Sequence, residues 1–337
     1  MYFQSMKRTS YLAQTSFNLV QRLHFFSARS NGPVGFLARA LNKVAAKPIA
    51  RRFGENRTVI ATAYGRSLQM PAEHLLPTNL KYFPQYNRPL AQAVAVLAEH
   101  NPVGGVAVID VGANIGDTVA ILDQRLPGAC WYLCIEPDPD LARLCRSNHI
   151  DNPRLQIEHC FIGEQEGLSV RLEDDGRANP STKVLTSERR DGEGTHGKLR
   201  RLDTVAAAFG EERGTIGLIK TDTEGYDFSV LRSGEKLLAK YKPSLYFEWY
   251  PRLLHELDQT EWQGFEDLAR LGYHHFAFFN ELGDFYCKVS HPDRLFLRSL
   301  AAVVLRPGPT SYFDVFASTD QSICDRLVEL STSESLS

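Results

Sequence analysis

Apolar and polar positions alternate along the middle of the chain in a pattern typical of strands and helices in turn. Short apolar runs of strand length are separated by longer stretches with helical periodicity. In chain order, the predicted strands are VAVIDV, WYLCIEP, RLQIEHCFIG, LSVRLE, TIGLIKTDTEG with its exit loop, and SLYFEWYP. Strands that alternate with helices form a parallel sheet between helical layers, so the order predicts an α/β fold with a doubly wound sheet.

The end of the chain departs from this alternation. HHFAFFNELGDFYCKV predicts a hairpin that turns near Leu282 and Gly283, and YFDVFAS, Tyr312 to Ser318, predicts a late strand. We therefore expect a mostly parallel sheet closed by one antiparallel strand. The polar tract from Asp174 to Gly197 predicts a long loop, which we interpret as a lid over the substrate.

The N-terminal segment has a different character. Residues 7–54 predict two basic amphipathic helices, and nine basic residues precede Glu55, the first acidic residue. Three interpretations stay open: a membrane-surface or transit segment, a clamp over an anionic substrate, or helices that pack on the core or on a second subunit. We favour packing. A strand is predicted from Arg57 to Gly65, and a helix from Leu90 to His100.

These patterns predict four segments. MYFQSM resembles the remnant of a cleavable tag joined to a start methionine, so residues 1–6 are set apart. Residues 7–100 are expected to form a basic, largely helical extension, and residues 101–320 the α/β domain. Residues 321–337 are expected to form a C-terminal helix and a flexible tail.

The composition of the chain argues against several classes of protein. The chain has 337 residues, and the 29 bases after the N-terminal segment face all 40 acids, a formal charge of −11 that argues against nucleic-acid binding. The six cysteines show no CxxC pair and no metal-type spacing with histidine, which predicts reduced thiols, no metal site and a cytoplasmic location. No stretch approaches the roughly 20 apolar residues of a membrane span, so we expect a soluble protein.

The run VIDVGANIGDT, Val108 to Thr118, carries the strongest functional signal. It leads a strand into a glycine turn and a helix, a crossing that dinucleotides and S-adenosylmethionine (SAM) both use. Asp110 and Asp117 flank the turn, and their charge would repel a pyrophosphate but attract the sulfonium and ammonium groups of SAM. The sign of the charge therefore favours SAM over NAD.

Acidic residues follow several predicted strands, at the edge where such a sheet binds ligands. They are Asp110, Glu136, Asp222, Glu224 and Glu248. Glu136 follows Gly116 by 20 residues, a spacing at which a carboxylate binds ribose hydroxyls. Each of these acids has a structural alternative, either as a helix cap or as an arginine partner.

Other positions are assigned by the same reasoning. Phe161 or Ile162 is expected to contact the adenine, with plain core packing as the alternative for Phe161. Methyl transfer to a hydroxyl needs a proton acceptor, for which Asp222, Glu224 and Glu248 are the candidates. Lys220 is expected to face the helix layer, away from Asp222. Five histidines are weaker candidates for the base: His74, His196, His255, His274 and His275.

Five blocks together resemble the FkbM-type SAM-dependent methyltransferases. They are VIDVGANIGDT, CIEPDPDLARLCRSN, the LDT from Leu202, IKTDTEGYDFSVLRSG and KPSLYFEW, and they cover roughly Val106 to Trp249. The resemblance implies a class I methyltransferase fold with SAM as cofactor. It also implies a functional role for Asp222 and Glu224, and SAM binding by Asp110, Gly112, Asn114, Gly116 and Glu136.

The predicted function is O-methylation of a hydroxyl on a saccharide or a glycosylated or natural-product metabolite. One alternative is N-methylation of an amine on a peptide or small molecule, and another is a non-catalytic SAM-binding interaction protein. An NAD-dependent dehydrogenase is disfavoured by the charge argument. The expected partner is a small-molecule or glycan acceptor, and peripheral membrane contact through the basic N-terminus and homo-oligomerisation are left open.

Overall fold

The structure is a computed structural model that describes residues 58–71, 74–101, 104–173, 181–183, 196–306 and 310–333. The two basic helices predicted within residues 7–54 and most of the predicted lid lie outside the described residues. The chain divides into two compact units, Met1–Pro84 and Gln85–Ser337, which are described separately below.

The described part of the first unit is a hairpin followed by a short helix. Strand β1 (Thr58–Ala63) pairs antiparallel with β2 (Arg66–Pro71), and helix α1 spans Leu76–Tyr82. Tyr64 and Gly65 form the turn, both with positive φ. The strand expected from residue 57 is present, whereas the sequence did not predict its partner β2.

The second unit begins with helix α2 (Arg88–His100), which the sequence analysis placed in the N-terminal extension. Its further strands are β3 (Val106–Val111), β4 (Cys130–Ile135), β5 (Leu155–Glu158), β6 (Phe161–Ile162), β7 (Ser169–Glu173), β8 (Ser181–Lys183), β9 (His196–Arg200), β10 (Leu218–Thr221), β11 (Ser244–Trp249), β12 (His275–Asn280), β13 (Phe285–Ser290) and β14 (Phe313–Ser318). Its further helices are α3 (Asp117–Arg125), α4 (Pro139–Asn148), α5 (Leu202–Val205), α6 (Ala207–Arg213), α7 (Asp227–Ser233), α8 (Glu235–Tyr241), α9 (Pro251–Glu256), α10 (Gln263–Arg270), α11 (Arg294–Leu305) and α12 (Gln321–Ser333).

The main sheet has eight strands in the order β13-β12-β14-β11-β10-β3-β4-β5. Strands β3, β4, β5, β10 and β11 are parallel, and β14 inserts antiparallel between β11 and β12. The predicted α/β fold with an antiparallel closing strand is confirmed. The hairpin partner β13 adds a second antiparallel strand at the edge.

Several elements differ from the sequence prediction, and three of them bear on the site. The single strand expected over RLQIEHCFIG is two strands: β5 belongs to the main sheet, while β6 pairs with β9 in a smaller sheet. The run FSVLRSGEKLLAKY, whose sequence pattern alone predicts one continuous helix, breaks into α7 and α8 at Gly234, where an added Cβ would lie 2.9 Å from the Leu202 side chain. The predicted 174–197 loop contributes strand β8 and the start of β9.

An aromatic core supports the end of strand β11. Trp249 is fully buried, with its ring 5.2 Å from Phe265 and 5.7 Å from Phe278, and its indole N–H donates to the Glu261 carbonyl at 3.1 Å. Because side chains alternate along a strand, anchoring Trp249 in this core turns its neighbour Glu248 to the other face of the sheet.

Two further findings concern predictions from composition. None of the six cysteines forms a disulfide bond, and Cys130, Cys134, Cys145 and Cys324 are buried. Within the described ranges, every helix is too short or too polar to cross a membrane.

Candidate functional site

The glycine turn after β3 depends on close packing at two positions. Gly112 and Gly116 both have positive φ, 82° and 83°. A Cβ on Gly112 would lie 2.1 Å from the Asp222 carbonyl oxygen, and one on Gly116 would lie 2.7 Å from His149 Nε2. Only glycine fits such contacts without displacing its neighbours. The buried His149, which the sequence analysis did not single out, is also within 2.8 Å of the Gly116 carbonyl through Nε2.

The backbone N–H groups at the start of this turn are engaged within the protein. Gly112 and Ala113 donate to the Ile135 carbonyl at 2.9 and 3.2 Å, and Asn114 donates to Glu136 Oε2 at 2.7 Å. A pyrophosphate site would need such groups directed at the ligand. Their engagement adds a geometric argument to the charge argument against a dinucleotide.

Lys220 lies on the same face of the sheet as Asp110 and Asp222, so the expectation that it points away from Asp222 is wrong. It is the register partner of Asp110 on the adjacent strand, and Asp222 follows it by two positions. Its Nζ lies 3.0 Å from Asp110 Oδ1 and 3.5 Å from Asp222 Oδ2. A strand repeats its facing every two residues, which brings the lysine and both acids together.

Asp117 begins helix α3 near the same group. Burial, with Asp110 and Asp222 as like charges, raises the pKa of Asp117 to about 6, although Lys220 acts in the opposite direction. Asp117 is therefore mostly ionised at neutral pH. Among the residues that the structure describes, Asp110, Asp117 and Asp222 outnumber the Lys220 cation beside them, which gives this part of the turn a net negative charge.

Glu136 is held rigidly after strand β4. One carboxylate oxygen accepts from Asn114 N at 2.7 Å and the other from Asp138 N at 2.9 Å. Burial raises the pKa of Glu136 to about 7, and these two hydrogen bonds limit the rise. The carboxylate is fixed beside the glycine turn, where the sequence analysis expected it to meet a ribose.

A cavity of about 280 Å³ adjoins the turn. Gly112 lines it, as do Phe161 and Ile162, the two residues expected to contact adenine. Phe161 also packs against Val170 and Leu199, so it belongs to a small core as well as to the cavity wall. Further lining residues that the sequence analysis did not identify are Thr223, Tyr226, Ser229 and Gln259.

The three carboxylates proposed as catalytic bases lie near one another. Asp222 and Glu224 follow β10, and Glu248 lies in the adjacent β11. Asp222 is 48% exposed, Glu224 is partly buried, and Glu248 is only 8% exposed with Oε2 making no hydrogen bond. Burial, then Asp222 and Glu224, raise the pKa of Glu248 well above its usual range. Of the five histidines named as weaker bases, His274 directly precedes β12, His275 begins β12 and His196 begins β9.

A fourth carboxylate, Asp314, was missed by the sequence analysis. Asp314 lies directly across from Glu248 in the β11–β14 pair, and the Tyr246 hydroxyl donates to its Oδ2 at 3.4 Å. The sequence search considered only the carboxyl ends of strands. Because β14 is antiparallel, its N-terminal residues reach the same edge, and only the sheet register reveals this.

The residues at the turn suit a cationic nucleoside. Asp110 Oδ2 and Asn114 Oδ1 are buried acceptor atoms without a hydrogen-bond partner. Unsatisfied buried acceptors are costly unless a ligand or water meets them, and an ammonium or sulfonium group supplies the matching charge. The donor set therefore fits SAM. Among the described residues, no three His, Cys, Asp or Glu side chains are arranged to hold a metal ion.

The strand order, the antiparallel β14 and the acid-flanked glycine turn define a class I SAM-dependent methyltransferase fold. The FkbM methyltransferase domain model matches residues 110–283, just over half of the chain. The chain belongs to the FkbM methyltransferase family. The predicted family, the class of enzyme and SAM as its cofactor are confirmed at this level.

Solved structures with similar folds are distant in sequence. The FkbM methyltransferase from Methylobacillus flagellatus KT is 14% identical with a TM-score of 0.39, and the match covers 84% of this chain and 60% of that one. The METTL16 methyltransferase domain is 11% identical with a TM-score of 0.39, covering 76% and 73%. A geranyl diphosphate methyltransferase in complex with SAM is 12% identical with a TM-score of 0.35, covering 68% and 84%. No curated protein matches the chain.

Proposed function

We propose that this protein transfers the methyl group of SAM to a hydroxyl of a saccharide or of a glycosylated or natural-product metabolite. The observation that carries the proposal is the line of carboxylates beside the glycine turn, in which the buried Glu248 keeps one oxygen without a partner. A hydroxyl acceptor must lose its proton during transfer, and a carboxylate with a raised pKa is suited to accept it.

We assign SAM binding and acceptor binding to different parts of the same edge of the sheet. SAM is held at the glycine turn by Asp110, Gly112, Asn114, Gly116, Asp117, Glu136, Phe161 and Ile162. The acceptor binds beyond Asp222, where Asp222, Glu224 or Glu248 takes its proton. Methyl transfer from a sulfonium neutralises charge, so the protein acts mainly by aligning the two reactants in a dry pocket.

A second candidate is N-methylation of an amine. The observation that favours it is the excess of acids over Lys220 at the acceptor side, because an ammonium group is attracted to that charge. An amine must be neutral to react, and it needs less help in losing its proton than a hydroxyl does.

A turnover screen separates the two candidates. The purified protein is incubated with methyl-labelled SAM and matched panels of methyl glycosides, amino sugars and short peptides, and the methylated atom is identified by NMR. Label on a hydroxyl oxygen supports the proposal, and label on nitrogen supports the alternative. SAM binding without transfer to any panel member favours a non-catalytic SAM-binding protein.

Glu248→Gln tests the assignment of the base. Turnover is expected to fall by about 100-fold or more, while the SAM affinity measured by calorimetry changes little. The matched control is Glu256→Gln, which alters an exposed glutamate at the end of α9. If Glu248→Gln weakens SAM binding and leaves turnover at saturating SAM unchanged, Glu248 belongs to the cofactor site.

A further inference from the structure

Glu248 and Asp314 face each other across two antiparallel strands. They are register partners in β11 and β14, and side chains that are directly opposite in such a pair have Cβ atoms about 4.5–5.5 Å apart. Glu248 is buried and its Oε2 has no hydrogen-bond partner. The two carboxyl groups are therefore close enough to affect each other's ionisation.

Tyr246 fixes the orientation of Asp314. It lies two residues before Glu248 in β11, on the same face of the sheet, and its hydroxyl donates to Asp314 Oδ2 at 3.4 Å. The Tyr246 ring is buried, so the hydroxyl has little freedom to move away. The phenol thus holds the Asp314 carboxylate beside Glu248 and leaves Glu248 Oε2 unengaged.

We propose that Glu248 and Asp314 act as a coupled carboxyl pair, in which Asp314 is a positioning residue that makes Glu248 a stronger base for the acceptor proton. The inference rests on the proposed O-methylation. In the reaction, the acceptor oxygen bonds to the methyl carbon, and the carbon–sulfur bond breaks with its electron pair going to sulfur. The hydroxyl proton passes to the pair, and the products are the methyl ether and S-adenosylhomocysteine (SAH).

The surrounding charges act in the direction the pair requires. Burial, then Asp222, raise the pKa of Asp314 to about 8, while Lys220 and the Tyr246 hydrogen bond limit the rise. Burial and like charges raise the pKa of Glu248 as well. Two close carboxyl groups cannot both ionise easily, so the pair retains a proton at neutral pH and titrates as a unit. The titratable groups that face the pair are Lys220, Asp222, Glu224, Asp227, Tyr246, Glu281 and Tyr312.

The sign of the pH dependence follows from this coupling. The pair accepts a proton only in its deprotonated form, so kcat is expected to rise with pH through the raised pKa. In Asp314→Asn, Glu248 loses a like-charged neighbour and its pKa falls. The rise in kcat then moves to lower pH by about 1 pH unit, and kcat on the high-pH plateau decreases because the base is weaker.

The test combines a readout on the ligand-free protein with one on turnover. Infrared difference titration follows the carbonyl band of protonated carboxylic acids from pH 5 to 9 in the wild type, Asp314→Asn, Glu248→Gln and the exposed control Asp151→Asn. The wild type and the control are expected to lose a protonated band near pH 8. Asp314→Asn is expected to lack that band, and Glu248→Gln is expected to lose its Asp314 band at a lower pH than the wild type. The kcat–pH profile is measured on the same proteins with SAM and the best methyl glycoside of the screen.

The outcomes separate the inference from the function on which it rests. If Asp314→Asn keeps both the wild-type infrared titration and the wild-type pH profile, the coupled pair is refuted while O-methylation stands. If no glycoside is methylated although the infrared titration is as expected, the proposed function fails and the pair has no role in it. If Asp314→Asn lowers kcat without moving the pH profile, Asp314 is merely structural and the inference is wrong.

Discussion

Replacing Lys220 with methionine tests the ion cluster beside the glycine turn. Lys220 is 12% exposed and Asp110 is 1% exposed, and their charged atoms are 3.0 Å apart. Methionine keeps an unbranched side chain of similar length but leaves the Asp110 charge buried without its cation. Breaking a buried ion pair in this way costs about 3–5 kcal/mol of the free energy of unfolding.

That loss of stability corresponds to a measurable shift in the midpoint of thermal unfolding. For a unit of this size, each kcal/mol lowers the thermal midpoint by about 2–4 °C, so Lys220→Met is expected to unfold about 6–20 °C below the wild type. The assay is thermal unfolding followed by circular dichroism, with midpoints compared at pH 7. Lys236→Met, which changes an exposed lysine in helix α8, serves as the control and is expected to leave the midpoint nearly unchanged.

A double variant distinguishes lost charge balance from lost packing. Asp110→Asn combined with Lys220→Met removes both charges of the 3.0 Å pair, so Asp110 no longer remains as a buried ion without its partner. The double variant is expected to be more stable than Lys220→Met alone. The reasoning is refuted if Lys220→Met unfolds with the Lys236→Met control, or if the double variant is less stable than Lys220→Met.

Three further predictions concern SAM binding. Gly112→Ala is expected to lower both the thermal midpoint and the SAM affinity, because its Cβ would lie 2.1 Å from the Asp222 carbonyl oxygen. An unchanged SAM affinity by calorimetry would contradict this and would show that the turn accommodates the methyl group. Ile162→Ala is expected to weaken SAM and SAH equally, since both share the adenosyl group; loss of SAM affinity alone would place Ile162 near the sulfonium. The ratio of SAM affinity to SAH affinity is expected to increase as the pH rises through about 6, where Asp117 ionises. Asp117→Asn is expected to remove this increase. The same pH dependence of the ratio in the wild type and in Asp117→Asn would contradict the prediction.

Most of the sheet was predictable because its strands are local patterns. Runs such as VAVIDV and SLYFEW are apolar at all but one or two positions, as is typical of strands covered on both faces, and all six residues are buried in each. The change from the main sheet to the smaller sheet between Glu158 and Phe161 could not be predicted in this way. The apolar pattern continues across the break, and only the pairing of β6 with β9 shows that the chain leaves the main sheet.

Residues of the candidate site could be proposed from the sequence where they are close together along the chain. Asp110, Gly112, Gly116 and Glu136 follow from the glycine turn and from one spacing along the chain. Asp314 depends instead on which strands are neighbours. It reaches the site because β14 inserts antiparallel beside β11, a pairing between residues 66 positions apart.

Lys220 was misplaced for a different reason. Its proximity to Asp110 follows from the parallel register of β10 and β3, which no pattern within either strand specifies. By contrast, the two-residue repeat of a strand was enough to predict that Lys220 and Asp222 lie on the same face of the sheet. His149 was not singled out because its contact with the Gly116 carbonyl spans 33 positions.

The central claim is that the acid-flanked glycine turn binds a sulfonium donor and not a dinucleotide. Isothermal titration of the ligand-free protein with SAM and separately with NAD⁺ tests it most directly, with Asp110→Asn measured beside the wild type. We expect one SAM bound per chain, no binding of NAD⁺, and a much weaker SAM affinity in Asp110→Asn. Binding of NAD⁺ in place of SAM, or an unchanged SAM affinity in Asp110→Asn, would contradict the claim.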